Sequence, residues 1–377
     1  MAITRIGNIA NTIPDNSIAN SKFTDIVNFK NIIINGDMSI AQRGTSASGL
    51  TASTYSTVDR WLDGILTAGT WTISQDTDVP TGQGFSTSMK IDCTTANGSL
   101  SAGSLFNIQQ RFEGQNLQYL KKGTSSAESL TVSFWVKSVK TGTYICELKD
   151  DNNRTISKSY TINSASTWEK KTITFAGDTT GTLNNDNGES FRVFFWLGAG
   201  SAFTSGTLST TWTSSTNTDR AVGQVNLADN TANNFWITGV QLEVGTSASD
   251  FEFLPYDVNL QRCQRYYWKE TSSPNAGGQW TAVGGVSQTN VGRVMMFLPT
   301  PMRTIPTSLG TSGTAGDYKI QYQNTGEICN AVPSFVTANY DRIQFNLSTA
   351  AGMTVGYYCG LRYNAAGVGY LEVDVEL

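Results

Sequence analysis

The chain contains no histidine. That absence removes Ser-His-Asp and Cys-His nucleophilic catalysis, together with every His-ligated zinc or iron site. Charge is scarce as well: Asp, Glu, Lys and Arg make up 15% of 377 residues and the formal net charge is −4. Such a balance offers nothing to a phosphate backbone, so nucleic acid is not an expected partner. The five cysteines (Cys93, Cys146, Cys263, Cys329 and Cys359) are far apart and show no CxxC or other metal-ligand spacing. They read as small buried hydrophobes, with no metal and no cofactor implied. The first twenty residues, MAITRIGNIANTIPDNSIAN, lack the apolar core of a signal peptide, and no apolar run approaches a membrane span. The expectation is a chain made in the cytosol that inserts in no membrane.

Chemistry that survives without imidazole runs on carboxylates: glycoside hydrolysis, which needs two acids flanking a cleft, and calcium sites. Three acidic groupings come into question: Glu147 with Asp150 and Asp151, Asp76 with Asp78, and Asp186 with Glu189. All three sit in Asn/Gly/Thr-rich, turn-like surroundings where carboxylates are ordinarily solvated. No catalytic residue is assigned among them.

Glycine is abundant, at 36 residues, and Ser, Thr and Asn fill the intervals between short apolar runs. This is the composition of many strands joined by turns, and it sets the fold class as all-β. Residues 1–30 carry isolated apolar positions without periodicity; they read as an extended N-terminal arm that orders against a partner or stays disordered. From 31 to 256, strand signals recur as in a sandwich of antiparallel sheets. Leu130, Val132, Phe134 and Val136 alternate with Thr131, Ser133 and Trp135, and Phe191, Val193, Phe195 and Leu197 alternate with Arg192, Phe194 and Trp196. Further strands are expected within 71–75, 88–93, 143–149, 155–162, 172–175 and 235–243.

The run at 257–268 breaks the alternation. Val258, Leu260, Cys263 and Tyr267 approach helical spacing and Asp257 can cap the first turn, which predicts a short helix, 257–269 at its widest, connecting two domains. Residues 270–377 return to strands and have the size of a second, smaller β-sandwich. Pro299, Pro301 and Pro306 make 298–306 an extended connection that cannot be a central strand.

Two signatures carry a family resemblance. One is Asn35-Gly36-Asp37-Met38-Ser39-Ile40-Ala41-Gln42-Arg43-Gly44 followed by Tyr55-Ser56-Thr57-Val58-Asp59-Arg60-Trp61. The other is Thr238-Gly239-Val240-Gln241-Leu242-Glu243-Val244-Gly245 leading to Pro255-Tyr256 and Gln261-Arg262-Cys263-Gln264-Arg265-Tyr266-Tyr267. Their ordered combination, over roughly 31–268, resembles tail fibre and receptor-binding proteins of tailed phages, especially those with a carbohydrate-binding-module-like jelly roll. The resemblance implies a homotrimeric, virion-exposed protein that docks on baseplate or tail proteins through its arm and attaches to a host cell-surface polysaccharide. Related jelly rolls often hold a structural calcium through acids of the closing strand; here that strand reads Trp236-Ile237-Thr238-Gly239-Val240-Gln241-Leu242, leaving Asp37 and Glu243 as the remaining oxygen donors.

Glycan recognition needs aromatic plates bordered by hydroxyl-binding groups. Trp135 and Trp196 occupy outward positions of their strands, where they serve as plates or pack under a loop or a sister subunit. The C-terminal β-sandwich, 270–377, is expected to be the receptor-binding domain: Trp280, Tyr318, Tyr340, Tyr357 and Tyr358 are candidates there, with Asp341 beside them, against the alternative that they form core. Tyr357 and Tyr358 point to opposite faces of any strand, so at most one of them lines a given site. Leu260, Arg262, Arg265 and Tyr266 on the connecting helix are the candidates for a trimer interface. Two other readings remain open: a tailspike-type glycan depolymerase and a structural collar or connector of the tail.

Overall fold

The computed structural model describes residues 29–272, 281–323, 325–350, 352–364 and 368–377. The expected arm, all but its last two residues, and Trp280 lie outside that range. In chain order the strands are Ser46–Thr54 (β1), Leu62–Asp76 (β2), Ser88–Thr95 (β3), Leu105–Glu113 (β4), Leu130–Ser138 (β5), Gly142–Asp150 (β6), Arg154–Ile162 (β7), Glu169–Phe175 (β8), Glu189–Ala199 (β9), Thr213–Ser214 (β10) and Asn234–Val244 (β11). Helix α1 is Ser201–Thr204, and α2 is Tyr256–Gln264. Beyond it come Tyr267–Thr271 (β12), Ala282–Gln288 (β13), Val291–Phe297 (β14), Gly310–Thr311 (β15), Tyr318–Tyr322 (β16), Thr325–Ile328 (β17), Ser334–Asn339 (β18), Arg342–Ser348 (β19), Tyr358–Tyr363 (β20) and Tyr370–Asp374 (β21).

The fold is all-β, and its first part is a jelly-roll-like sandwich. One continuous ladder runs β10-β7-β6-β9-β4-β2-β3-β11-β5-β8, with β1 on β2. It folds into two leaves because β2 belongs to both: Leu62–Leu66 pairs with β4 and Thr70–Asp76 pairs with β3. The bend falls at Thr67 and Gly69, both at positive φ, and a side chain on Gly69 would meet the Thr95 carbonyl at 2.6 Å. Aromatic rings close the space between the leaves. Phe134 on β5 meets Phe195 on β9 at 4.9 Å between centroids, and Trp71 on β2 meets Phe106 on β4 at 4.2 Å.

Inward positions of β5 and β9 are those expected from alternation, but the outward positions of β9 are not solvated. Phe194 and Trp196 form a second buried cluster with Ile145, Phe203 and Ala221, roofed by the segment that carries α1. Two large aromatics on an outer face are costly to leave wet, and the connection after β9 covers them. All five cysteines are buried free thiols.

Asp63 on β2 is a buried acid. Its Oδ2 accepts a hydrogen bond from Ser56 Oγ, whereas Oδ1 has no partner. Burial is the main cause that pushes its carboxyl up to about 7. An unfolded chain titrates this group near pH 4, so across about pH 4 to 7 the folded state holds the extra proton and stability falls as pH rises. Asp63→Asn is therefore expected to stabilise the protein by on the order of 2 kcal/mol at pH 8 and by almost nothing at pH 4. Urea melts of both proteins at the two pH values check this; an equal effect at both would contradict it.

The helix is shorter than its sequence pattern suggests. It ends at Gln264, and Tyr267 to Thr271 pair with β21 as an edge of a three-stranded sheet, β12-β21-β15. Aromatic and β-branched residues in Tyr267-Trp268-Lys269-Glu270-Thr271 favour the ladder once β21 supplies a partner. A seven-stranded sheet, β17-β16-β20-β13-β14-β19-β18, packs on this one through a core that includes Trp268, Tyr318, Phe345 and Leu371. The proline-rich 298–306 segment carries no strand.

Candidate functional site

The signature motifs converge on one place, the junction of the first sandwich with α2 and β12. Asn35 stands at φ 59° and its Nδ2 donates to the carbonyls of Ile40 (2.9 Å) and Asp59 (3.0 Å). Gln42 donates from Nε2 to the Tyr267 carbonyl at 2.9 Å. Arg60, fully buried, lies 3.4 Å from the Tyr266 ring centroid and pairs with Glu376, while Arg43 lies 3.6 Å from the Tyr267 ring. Glu113 receives Arg265 through Nε and Nη2, both at 2.7 Å, and the Tyr266 hydroxyl at 2.6 Å. Burial resists ionisation of Glu113, yet the Arg265 and Tyr266 hydrogen bonds outweigh it and hold the carboxyl below its ordinary value. The motifs are spent on joining the two parts of the chain.

This corrects part of the expected trimer set. Tyr266 is buried within the chain and so is not free for a sister subunit, whereas Arg265 pairs with Glu113 and stays partly exposed. Leu260 is half-buried on α2. Arg262 lines a separate cleft.

Two of the expected glycan plates are core. Trp196 is fully buried and donates its indole N–H to Glu147 at 2.8 Å; Tyr318 is fully buried and donates to the Tyr370 carbonyl at 2.6 Å. Alternation put Trp196 outside correctly but could not reveal its roof. Tyr340, in the turn before β19, and Tyr358, on β20, are exposed, the latter by 86%. Three strand spacings, about 14 Å, separate β19 from β20, so these tyrosines share no site. Tyr357 packs edge-on against Tyr322 at 6.1 Å, and Asp341 lies 3.5 Å from Arg342.

The acidic groupings are engaged one by one. Glu147 is held by Arg220, Trp196 and Thr155, Asp150 by Lys122 and Glu189 by Arg111 and Arg192. Asp186 accepts from the Gly188 N–H at 2.9 Å. Of the two calcium-donor candidates, Asp37 accepts from Ser39 and Asn259, and Glu243 from Ser249 and Gln241. Among the described residues no three acids or cysteines gather as a metal site.

Trp135 is different. It lies half-buried on the outer face of the β8-β5-β11-β3-β2 leaf, between Lys170 of β8 and Thr238 of β11. The next row of the same face reads Lys137, Trp236, Lys90 and Ser74 across β5, β11, β3 and β2. Trp168, just before β8, closes that row. Its indole N–H donates to Asp78 Oδ1 at 2.9 Å, and Lys137 Nζ sits 4.3 Å from the Trp236 ring and 5.6 Å from the Trp168 ring while pairing with Asp78. Lys90 Nζ lies 5.4 Å from Trp236. Burial opposes ionisation of Asp78, but the Lys137 and Trp168 hydrogen bonds prevail and keep it ionised below the usual range.

The result is a patch of three tryptophans, Trp168 and Trp236 in one row with the buried Lys137 between them and Trp135 in the adjacent row, with Lys90, Asp76 and Asp78 beside them. Among the described residues the Trp135 indole N–H donates to no protein acceptor. Sequence reasoning found Trp135 and missed Trp236, Trp168, Lys137 and Lys90. The alternation Phe235-Trp236-Ile237 carried the signal for Trp236, since its neighbours point inward.

No protein-family model matches the sequence, nor does any curated protein. Solved structures with some likeness include the enzymatically active domain of tailspike protein 4 of bacteriophage CBA120 (15% identity, 57% of this chain and 22% of that chain, TM-score 0.29). Others are TmCBM61 in complex with β-1,4-galactotriose (11%, 57% and 99%, 0.28) and the family 11 carbohydrate-binding module of a Clostridium thermocellum cellulase (14%, 53% and 98%, 0.25). This chain spans about a fifth of the tailspike domain's length. At such TM-scores the likenesses say nothing of what this chain binds.

Proposed function

We propose that this protein is a non-catalytic glycan-binding component of a phage tail, a fibre that attaches the virion to a host-surface polysaccharide. The observation that carries the reading is the tryptophan patch on the outer face of the first sandwich. Indole faces stack on the apolar faces of sugar rings, and the bordering lysines and aspartates suit their hydroxyls. Its placement on paired strands gives the patch a rigid spacing, which limits the entropy lost on binding. Recognition is thereby assigned to the first sandwich and not to the C-terminal tyrosines, which are scattered.

The phage-tail part rests on the signature motifs, and the homotrimer belongs with it. Val283, Phe297 and Tyr358 stand exposed on strands β13, β14 and β20 of the seven-stranded sheet, an apolar strip suited to sister subunits. Light scattering of the full chain is expected to give a trimer; a monomer at micromolar concentration removes that part.

Trp135→Ala and Trp236→Ala are each expected to weaken binding to extracted host polysaccharide by roughly tenfold or more, since a lost stacking plate forfeits over a kilocalorie. Calorimetric titration of the intact protein measures it. Wild-type affinity in both variants would overturn the assignment. Release of reducing ends by the wild-type protein would instead favour a depolymerase.

A further inference from the structure

A second cleft lies away from that patch, between the end of β4, the turn that follows it and α2. It encloses about 370 Å³ and is lined by Phe29, Phe112, Asn116, Leu117, Tyr119 and Arg262 among others. That volume falls in the range of small-molecule sites.

Its feature is a cation that makes no direct ion pair among the described residues. Of the arginines named at this junction, Arg43 and Arg60 pair with Glu376 and Arg265 with Glu113. Arg262 has no carboxylate at salt-bridge distance among the described residues. Among the described residues its one hydrogen bond is a long donation, 3.4 Å, to the Asn31 carbonyl, which uses one of its five N–H donors. Glu252 is close enough to act on its charge, but its oxygens accept from the backbone N–H groups of Phe29 and Asn31 and it forms no ion pair with Arg262. Glu113, the acid within the cleft, is saturated by Arg265, Tyr266 and Gln115. Burial is the main cause that lowers the Arg262 pKa from its ordinary value, and the nearby Glu252 charge offsets it only in part.

Around it stand the other parts of a sugar site. Tyr119 is 51% exposed, and its phenol feels the Arg262 charge. Phe29, 58% exposed, lies 6.0 Å from the guanidinium. Neither the Tyr119 hydroxyl nor the Asn116 amide is hydrogen-bonded within the described chain. A planar guanidinium takes a carboxylate through two parallel hydrogen bonds. One cation matches one negative charge, two aromatic rings offer faces for a pyranose, and a free hydroxyl and amide remain for its oxygens.

We infer that this cleft binds a carboxylate-bearing monosaccharide unit, of the uronic acid kind, with Arg262 on the carboxylate and Tyr119 against the ring. The inference stands apart from the tryptophan patch and uses different residues.

The test titrates the full chain with glucuronate, glucose and acetate, followed by saturation-transfer NMR and calorimetry. Glucuronate is expected to bind at least tenfold more tightly than either glucose or acetate. Arg262→Met and Tyr119→Ala are each expected to weaken it at least tenfold, with Arg262→Lys between them and the wild type. Tyr119 is largely exposed, so its variant reports on binding even where Arg262→Met fails to fold. Trp236→Ala is expected to leave glucuronate binding unchanged, which separates this site from the patch. Glucuronate binding no better than glucose, binding matched by acetate, or wild-type affinity in Tyr119→Ala would each overturn the inference.

Discussion

Glu147→Ala is expected to destabilise the protein by about 3–5 kcal/mol, because it strips the partner from a buried arginine. Glu147 on β6 accepts from Arg220 Nε at 2.8 Å and Nη2 at 3.1 Å, from Trp196 Nε1 at 2.8 Å and from Thr155 Oγ1 at 2.6 Å. Arg220 in turn lies within 6 Å of the rings of Phe194, Trp196 and Phe203, so its charge cannot escape to water without opening the roof over β9. Removing the acid leaves a desolvated cation and an orphan Trp196 N–H, while Thr155 Oγ1 keeps the Leu148 carbonyl at 3.3 Å. A double replacement, Glu147→Leu with Arg220→Met, is expected to recover most of the loss, since an apolar pair of similar volume carries no desolvation cost. Urea denaturation measures both. If the single variant lost less than about 1 kcal/mol, the network would be ornamental to stability.

The second large effect is expected at the junction. Glu113→Ala removes the carboxylate shared by Arg265 and Tyr266 and is expected to cost about 3 kcal/mol, somewhat discounted because Arg265 keeps partial access to water. Its signature is the shape of the transition: calorimetry is expected to resolve two steps in the variant, since Glu113 belongs to the first sandwich and its partners to the chain after α2. The pH dependence has a definite sign. Hydrogen bonds from Arg265 and Tyr266 hold the Glu113 pKa below its unfolded value, so its contribution is present above about pH 4.5 and is lost as pH falls through the depressed folded value. Wild-type protein is expected to approach the variant in stability at low pH. A constant gap from pH 7 down to pH 3 would contradict this account.

Much of the β architecture was legible from alternation, because successive side chains on a strand point to opposite faces whatever the rest of the chain does. The inward sets of β5 and β9 follow from that rule alone, and so does the outward direction of Trp135. Segments with mixed polarity were less readable: β1 and β4 carry Ser, Thr, Asn and Gln at positions that pairing, not hydropathy, places in the ladder. The true end of α2 was hidden because the run through Tyr266, Tyr267 and Trp268 can satisfy a helical stripe or a strand, and only β21, a hundred residues later, supplies the ladder that decides between them.

By itself the sequence determined the fold class: abundant turn residues and short alternating runs specify sheets, and the absence of imidazole excludes histidine-based chemistry. Tertiary structure alone decided which aromatics face water. Trp196 and Trp135 occupy equivalent outward positions, yet one is fully buried under the segment following β9 while the other stays half-buried on the leaf that carries Trp236 and Trp168. The same holds for Arg262, which makes no direct ion pair among the described residues because Glu113 is bound to Arg265 and Tyr266 and Glu252 to the backbone of Phe29 and Asn31. Local pattern sets the direction of a side chain, whereas its exposure and partners depend on segments far away in the chain, brought together only by folding.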